Sequence, residues 1–367
     1  MKTIAVLGAG HGGCAAAADL TLRGYEVRLT TRRRETLAPL LEQGGIELVG
    51  EAGNGFAKVA KITPDLGEAV EGADLLLVTA PTTAHGYYAQ VLARLLTPQQ
   101  IVMLNPGHTC GGLHFAAELR RQGVKWPVRL CEVFTLTYGC RKTGPASVKV
   151  MMVAKNLLFS AFPGRNRDEL LAECRHLYPN LIPADSVLHS AFLNINAIEH
   201  PPQALLNVGW LEHTQGDYLF YYEGTTPSVG RAIDALDAER VAVAKALGVR
   251  TTDFYEIFCR AGYTTESAAK SRLAYQCLQE SAPNRWVKGP KSLDHRYIHE
   301  DVGFGLVPMA EFGRMAGVPT PVMDALIQIA STVNGIDYRR EGLTLARMGL
   351  EELKLTELER FLFEGPK

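Results

Sequence analysis

Residues 3–13 read TIAVLGAGHGG, an apolar run rich in β-branched side chains that passes straight into a glycine-rich turn. From residue 12 to 22 the pattern is alanine-rich and helical, and it stops at Gly24. A buried strand, a tight loop and a helix lying close against the strand follow from such a run. Met1-Lys2 before an apolar stretch could pass for a secretory signal, but the stretch is short and ends in glycines and His11, so it reads as a first strand. Gly8, Gly10 and Gly13 fill the small positions of G-x-G-x-x-G, with His11 and Gly12 between them. Gly8 permits the turn, Gly10 lets a pyrophosphate approach the main chain, and Gly13 lets the helix pack on the strand. The free N–H groups at the helix start face the anion. Glycine loops without ligands share this pattern, so its force comes from the strand before and the helix after. Dinucleotide binding by Gly8, Gly10, His11, Gly12 and Gly13 is the expectation.

Strand and helix patterns then alternate. Residues 25–30, 74–79 and 101–104 read as strands and 35–43 as a helix; 128–131 and 148–154 are expected to extend the same sheet. Apolar strands without alternation suit a parallel sheet covered on both faces. Beyond about residue 185 helical patterns dominate, at 233–246, 267–280, 307–315 and 321–333. With 367 residues the chain has room for two domains. The fold class expected is α/β plus all-α: a doubly wound, Rossmann-type domain over 1–184 and a mainly helical domain over 185–367, parted near Pro179 and Pro183.

Composition excludes several functions. Lys and Arg total 38 against 39 Asp and Glu, which argues against a partner found by bulk charge, whether nucleic acid or anionic membrane. The longest apolar runs are far too short to span a bilayer. Seven cysteines are scattered with no CxxC pair, so no metal site is expected and a reducing, cytoplasmic location fits best.

The second strand ends Thr30-Thr31-Arg32-Arg33-Arg34, with no carboxylate before Glu35. An acidic residue there would hold ribose hydroxyls, whereas Thr31, Arg32 and Arg33 suit a 2′-phosphate. NADP(H) is therefore favoured, with NAD(H) the alternative. Thr79, Pro81 and Asn105 follow strands at the carboxyl edge of the sheet and are expected to line the nicotinamide ribose, although turn chemistry explains them nearly as well.

In the second half, NINAIEHPP (194–202) and RYIHEDVGFGLVP (296–308) place polar groups in apolar surroundings. Read alone, His200 is more often a hydrogen-bonded structural histidine, and Asp301 belongs to the approach of a helix. Asn194 and Asn196, two apart, cannot both face one way on a helix, so at least one is structural.

Those segments, with VLGAGHGG, LNPGHTCGG (104–112), YYEGTTPSVG (221–230), DAERVAVAKALG (237–248), GVPTP (317–321) and DYRREGLTLARMGL (337–350), resemble the opine dehydrogenases, the octopine/nopaline dehydrogenase family. The resemblance implies coupling of an L-amino acid's amine to a 2-oxo acid, typically pyruvate, and reduction of the imine by NAD(P)H. It implies His200 and Asp301 as the acid–base pair, with Arg296 binding substrate. It points to the neighbourhood of Glu132 and Arg141 for the amino-acid side chain, and Tyr222 is a candidate to face the substrate. The family's NAD-using members carry an aspartate where this chain has Thr31. Small molecules are the partners expected, and exposed helical surfaces allow a homodimer. Two other readings stay open. One is a carbonyl reductase of the ketopantoate or glycerol-phosphate dehydrogenase kind, which would use lysine where this chain has His200. The other is a non-catalytic sensor of the cofactor, which would need no acid–base pair.

Overall fold

A computed structural model describes residues 1–366. The chain packs as two compact units, Met1–Ser190 joined by the stretch from Glu357 onward, and Ala191–Thr356.

The first unit is built on strands β1 (Thr3–Leu7), β2 (Glu26–Thr30), β3 (Ile46–Gly50), β4 (Gly55–Ala57), β5 (Lys61–Ile62), β6 (Leu75–Val78), β7 (Ile101–Leu104), β8 (Arg129–Val133), β9 (Tyr138–Gly144), β10 (Ser147–Val153), β11 (Leu157–Phe162) and β12 (Leu181–Pro183). Eight of them form one sheet in the order β12-β11-β8-β7-β6-β1-β2-β5. Neighbours run parallel except β11 against β8. Alternate residues feed opposite faces: Ile4 and Val6 join one apolar core, Ala5 and Leu7 the other. Burial on both faces is why these strands carry no polar alternation.

β10 corrects the sequence expectation. It lies in a second, four-stranded sheet ordered β4-β3-β10-β9, parallel to β3 and antiparallel to β9. Its Val148 and Val150 are buried while Lys149 and Met151 are exposed, the alternation of a sheet covered on one face only. Helix His11–Leu22 shares its core with both sheets, which accounts for its run of buried alanines, Ala15 to Ala18.

The unit limit falls at 190/191 instead of 184/185. Ser190 is tied into the first unit by donating its hydroxyl to Glu132 (3.0 Å), and Phe361 returns there to pack on Phe162 with ring centroids 5.4 Å apart.

The second unit is helical. Helix Pro227–Ala246 starts at Thr226, whose hydroxyl accepts the Val229 N–H, with proline in the first turn. The helix expected over 267–280 is broken into Glu266–Lys270 and Ala274–Gln279. Arg272 between them has φ +55°, and Asp234 accepts the Ala274 N–H (2.9 Å), which starts the second piece afresh. Deeper in, the wholly buried Arg240 bonds the Asp237 carboxylate (2.8 Å), the Thr251 hydroxyl (2.7 Å) and the carbonyls of Thr252 (2.6 Å) and Phe192. Asp237 also accepts the Phe254 N–H (2.7 Å). Among the described residues no helix is long and apolar enough to cross a membrane.

Candidate active site

The glycine loop of the first unit has the shape of a phosphate cradle. Gly8 adopts φ +119°, open to glycine, and its N–H donates to the Thr30 carbonyl (2.8 Å). A Cβ on Gly13 would lie 1.8 Å from the Gly8 carbonyl oxygen, whereas one on Gly10 would meet nothing within 4 Å. The helix therefore touches the strand at Gly13 while the loop faces open space at Gly10. No side chain caps the helix start and no acidic residue lies in its first turn, so its N–H groups and positive dipole end are unspent. These features fit a dinucleotide pyrophosphate. Thr79 braces the loop by donating to the carbonyls of Gly8 (3.1 Å) and Leu7 (3.3 Å).

The other residues expected here divide. His11 Nδ1 accepts the Lys142 N–H (2.8 Å), and burial together with Arg141 and Lys142 lowers its proton affinity. Arg141 thus lies near His11 of the cradle, and its guanidinium donates to the Cys140 carbonyl (3.3 Å). Thr31 is hydrogen-bonded to Tyr88, and the Arg32 guanidinium lies over the Tyr87 ring at 5.2 Å. Arg33 and Pro81 are exposed.

Asn105 is wholly buried, its amide donates to the Thr137 hydroxyl (2.8 Å), and its carbonyl accepts the Thr137 N–H (3.0 Å). It fixes the turn between β8 and β9. Glu132, at the end of β8, is also buried. It accepts the Gly112 N–H (2.7 Å) and the hydroxyls of Ser190 (3.0 Å) and Ser160 (3.3 Å). Burial nonetheless outweighs these donors and pushes its pKa up to about 7.

In the second unit, His200 lies on helix Asn196–Leu205, followed by Pro201 and Pro202 inside the helix. Asn194 accepts the Asn196 N–H (3.3 Å) at the start of this helix, which is the structural role anticipated for one of the two asparagines. Asp301 stands where the chain enters a π-helical turn, Val302–Leu306, and its carbonyl accepts the Leu306 N–H (2.9 Å). A Cβ on Gly305 would come within 2.6 Å of the Ala197 Cβ, so this turn approaches the His200 helix more closely than a side chain permits.

The result is a compact polar cluster. His200 Nδ1 lies 2.7 Å from Asp301 Oδ2, and both side chains are at most 5% exposed. An ionised carboxylate can only accept, so the ring donates to Asp301 from Nδ1; Nε2 pairs with the Tyr221 hydroxyl (2.8 Å), accepting from it when the ring is neutral and donating to it when the ring is protonated. Tyr297 stacks on the imidazole with centroids 3.9 Å apart. Arg296, about half exposed, is held by the buried Glu300 at 2.8 Å. Glu199 Oε1 lies 3.6 Å from His200 Nε2.

The structure therefore joins His200 to Asp301, with Arg296 on the adjoining turn. Tyr221 hydrogen-bonds His200, and the ring of its neighbour Tyr222 lies under the Arg285 guanidinium at 4.5 Å. Sequence reading missed Glu199, Tyr221, Tyr297 and Glu300. Their only signal was adjacency to His200, Tyr222, Arg296 and Asp301 in the two polar segments.

Comparison with known proteins agrees with this architecture. Residues 183–334 match the family described as NAD/NADP octopine/nopaline dehydrogenase, alpha-helical domain, and residues 4–157 match ketopantoate reductase PanE/ApbA. The chain is 34% identical over 352 residues to an opine dehydrogenase of Arthrobacter sp. (strain 1C), covering 96% of each. An octopine dehydrogenase solved with NADH and L-arginine has the same fold, with a TM-score of 0.80 at 20% identity over 100% of this chain and 99% of the other. A yersinopine dehydrogenase with NADP+ bound gives 0.73 at 16% identity, covering 100% of this chain and 98% of that one.

Proposed function

The chain belongs to the opine dehydrogenase family, oxidoreductases acting on CH–NH bonds with a nicotinamide dinucleotide, and we propose that it joins the amine of an L-amino acid to pyruvate or a similar 2-oxo acid and reduces the imine so formed. The observation that carries this reading is the His200 imidazole fixed between Asp301 and Tyr221. The bound dinucleotide supplies the hydride that reduces the carbon–nitrogen double bond.

The chain's own residues manage protons and position. Asp301 holds the Nδ1 proton, sets the ring's orientation and stabilises the imidazolium. Nε2 is then the site from which His200 protonates the oxo-acid oxygen, first as carbonyl and later as the hydroxyl that leaves as water. The stacked Tyr297 keeps the ring in its plane. Glu300 anchors one nitrogen of Arg296, and the remaining donors suit a substrate carboxylate bound by two parallel hydrogen bonds.

For the cofactor, NADP(H) is the proposed partner. Support comes from Thr31, Arg32 and Arg33 at the end of β2, and among the described residues no ion pair occupies either arginine. A second reading, a simple 2-oxo-acid reductase, draws on the match of residues 4–157 to ketopantoate reductase. The two are separated by incubating the protein with NADPH, pyruvate and a panel of amino acids, with mass detection of product. Oxidation that needs an amino acid and yields the condensed product supports the opine reading; oxidation with pyruvate alone supports the reductase.

A further inference from the structure

Glu199 has no task in the chemistry above, yet it sits at the centre of the cluster. Its side chain is 5% exposed, Oε1 lies 3.6 Å from His200 Nε2, and Oε2 has no hydrogen-bond partner among the described residues. The neighbouring carboxylates are committed, Asp301 to His200 and Glu300 to Arg296. The ionisable groups facing Glu199 are His200 on its own helix, Tyr221, Tyr297 and Asp301, and none is a permanent cation. Burial, reinforced by the charge of Asp301, raises its proton affinity well above the usual carboxylate range. An unpaired buried carboxyl is costly to keep unless it meets a cation or holds a proton.

The reaction presents both. An amino acid arrives as an ammonium ion, whose nitrogen has no lone pair to attack a carbonyl. We propose that Glu199 is the base that removes the substrate's ammonium proton and afterwards returns it to His200. This role rests on the function proposed above. The carboxylate takes one proton from nitrogen, the freed lone pair forms the C–N bond, and the carbonyl π pair moves to oxygen, which takes the proton of His200 Nε2. The neutral imidazole takes a second proton from nitrogen and gives it to the hydroxyl. The C–O bond breaks, water leaves, and the nitrogen lone pair closes the iminium bond. Neutral His200 and protonated Glu199 remain, and transfer across the 3.6 Å gap restores the starting state. No proton is gained or lost over these steps.

The test compares Glu199→Gln with the wild type across pH, using NADPH, pyruvate and an accepted amino acid. At neutral pH the variant's kcat/KM for the amino acid is expected to fall about 100-fold, while NADPH affinity and the KM for pyruvate hold. The deficit should close by about tenfold per pH unit toward the amine's own pKa, where solution supplies the free amine. Glu199→Asp, which keeps a base, should show a lower rate with the wild-type profile. A Gln variant that tracks the wild type at a constant ratio over all pH overturns the role, as does an Asp variant with the profile expected for Gln. A wild type without amine-dependent oxidation overturns the underlying function instead, and the role with it.

Discussion

Two polar clusters are buried in the helical unit, and they are built on opposite principles. Around Arg240 and Asp237 the bonds are complete: the guanidinium reaches a carboxylate, a hydroxyl and two carbonyls, and the carboxylate also accepts the Phe254 N–H. Around His200 one carboxyl oxygen of Glu199 is left without a partner, and the imidazole rests between two groups that bias its proton. A satisfied cluster fixes the fold, since breaking it strands a buried charge. An unsatisfied one costs stability and is expected where chemistry needs a group unspent.

Substitutions sharpen the contrast. His200→Asn, whose amide can still donate to Asp301, should reduce kcat by about 1,000-fold, read with NADPH, pyruvate and an amino acid, with NADPH affinity close to wild type. A variant that keeps wild-type kcat would instead place His200 with the structural cluster. Arg240→Ala should do the reverse, lowering unfolding free energy by about 3–5 kcal/mol in urea titrations by leaving Asp237 buried and unpaired. Protein that remains folded should keep its KM values.

Glu132 is an intermediate case, a buried carboxyl with its donors in place and its pKa still near 7. Its folded-state value exceeds the ordinary 4.5, so its contribution is fully present below that value and is lost as pH rises through about 7. The first unit should lose about 3 kcal/mol across that window, and Glu132→Gln should flatten the dependence of Tm on pH. Gly305→Ala should cost about 1–3 kcal/mol because its Cβ meets Ala197, and it should lower kcat more than Tm alone explains, by parting Asp301 from His200.

Sequence reading went furthest where one physical cause dominates. Strands buried on both faces are legible as unbroken apolar runs, and β1, β6 and β7 stand where residues 3–7, 74–79 and 101–104 pointed. The second sheet was missed because β3 and β10 alternate buried and exposed residues and β4 has only three residues. The break at Arg272 was invisible because Asp234, which caps the following piece, lies on another helix. Asn105 sits at a sheet end as ligand-lining residues do, but whether its amide faces a crevice or Thr137 depends on the path of the next turn. In the site, the family resemblance selected His200 and Asp301, which are 101 residues apart. Tyr221 and Glu199 needed the π-helical turn and the close approach at Gly305 before their neighbours could be known. In the Tyr221-Tyr222 pair, one residue bonds His200 and the next lies under Arg285.

The central claim is that a protonated imidazole in this cluster drives formation of a carbon–nitrogen bond. Nuclear magnetic resonance of the product formed from nitrogen-labelled amino acid and pyruvate labelled at the oxo carbon, with NADPH present, tests it directly. The account predicts a one-bond coupling between the two labels with wild-type protein and its loss with His200→Asn. Label recovered as a hydroxyl-bearing carbon, or the coupled product formed at an undiminished rate by the variant, would contradict it.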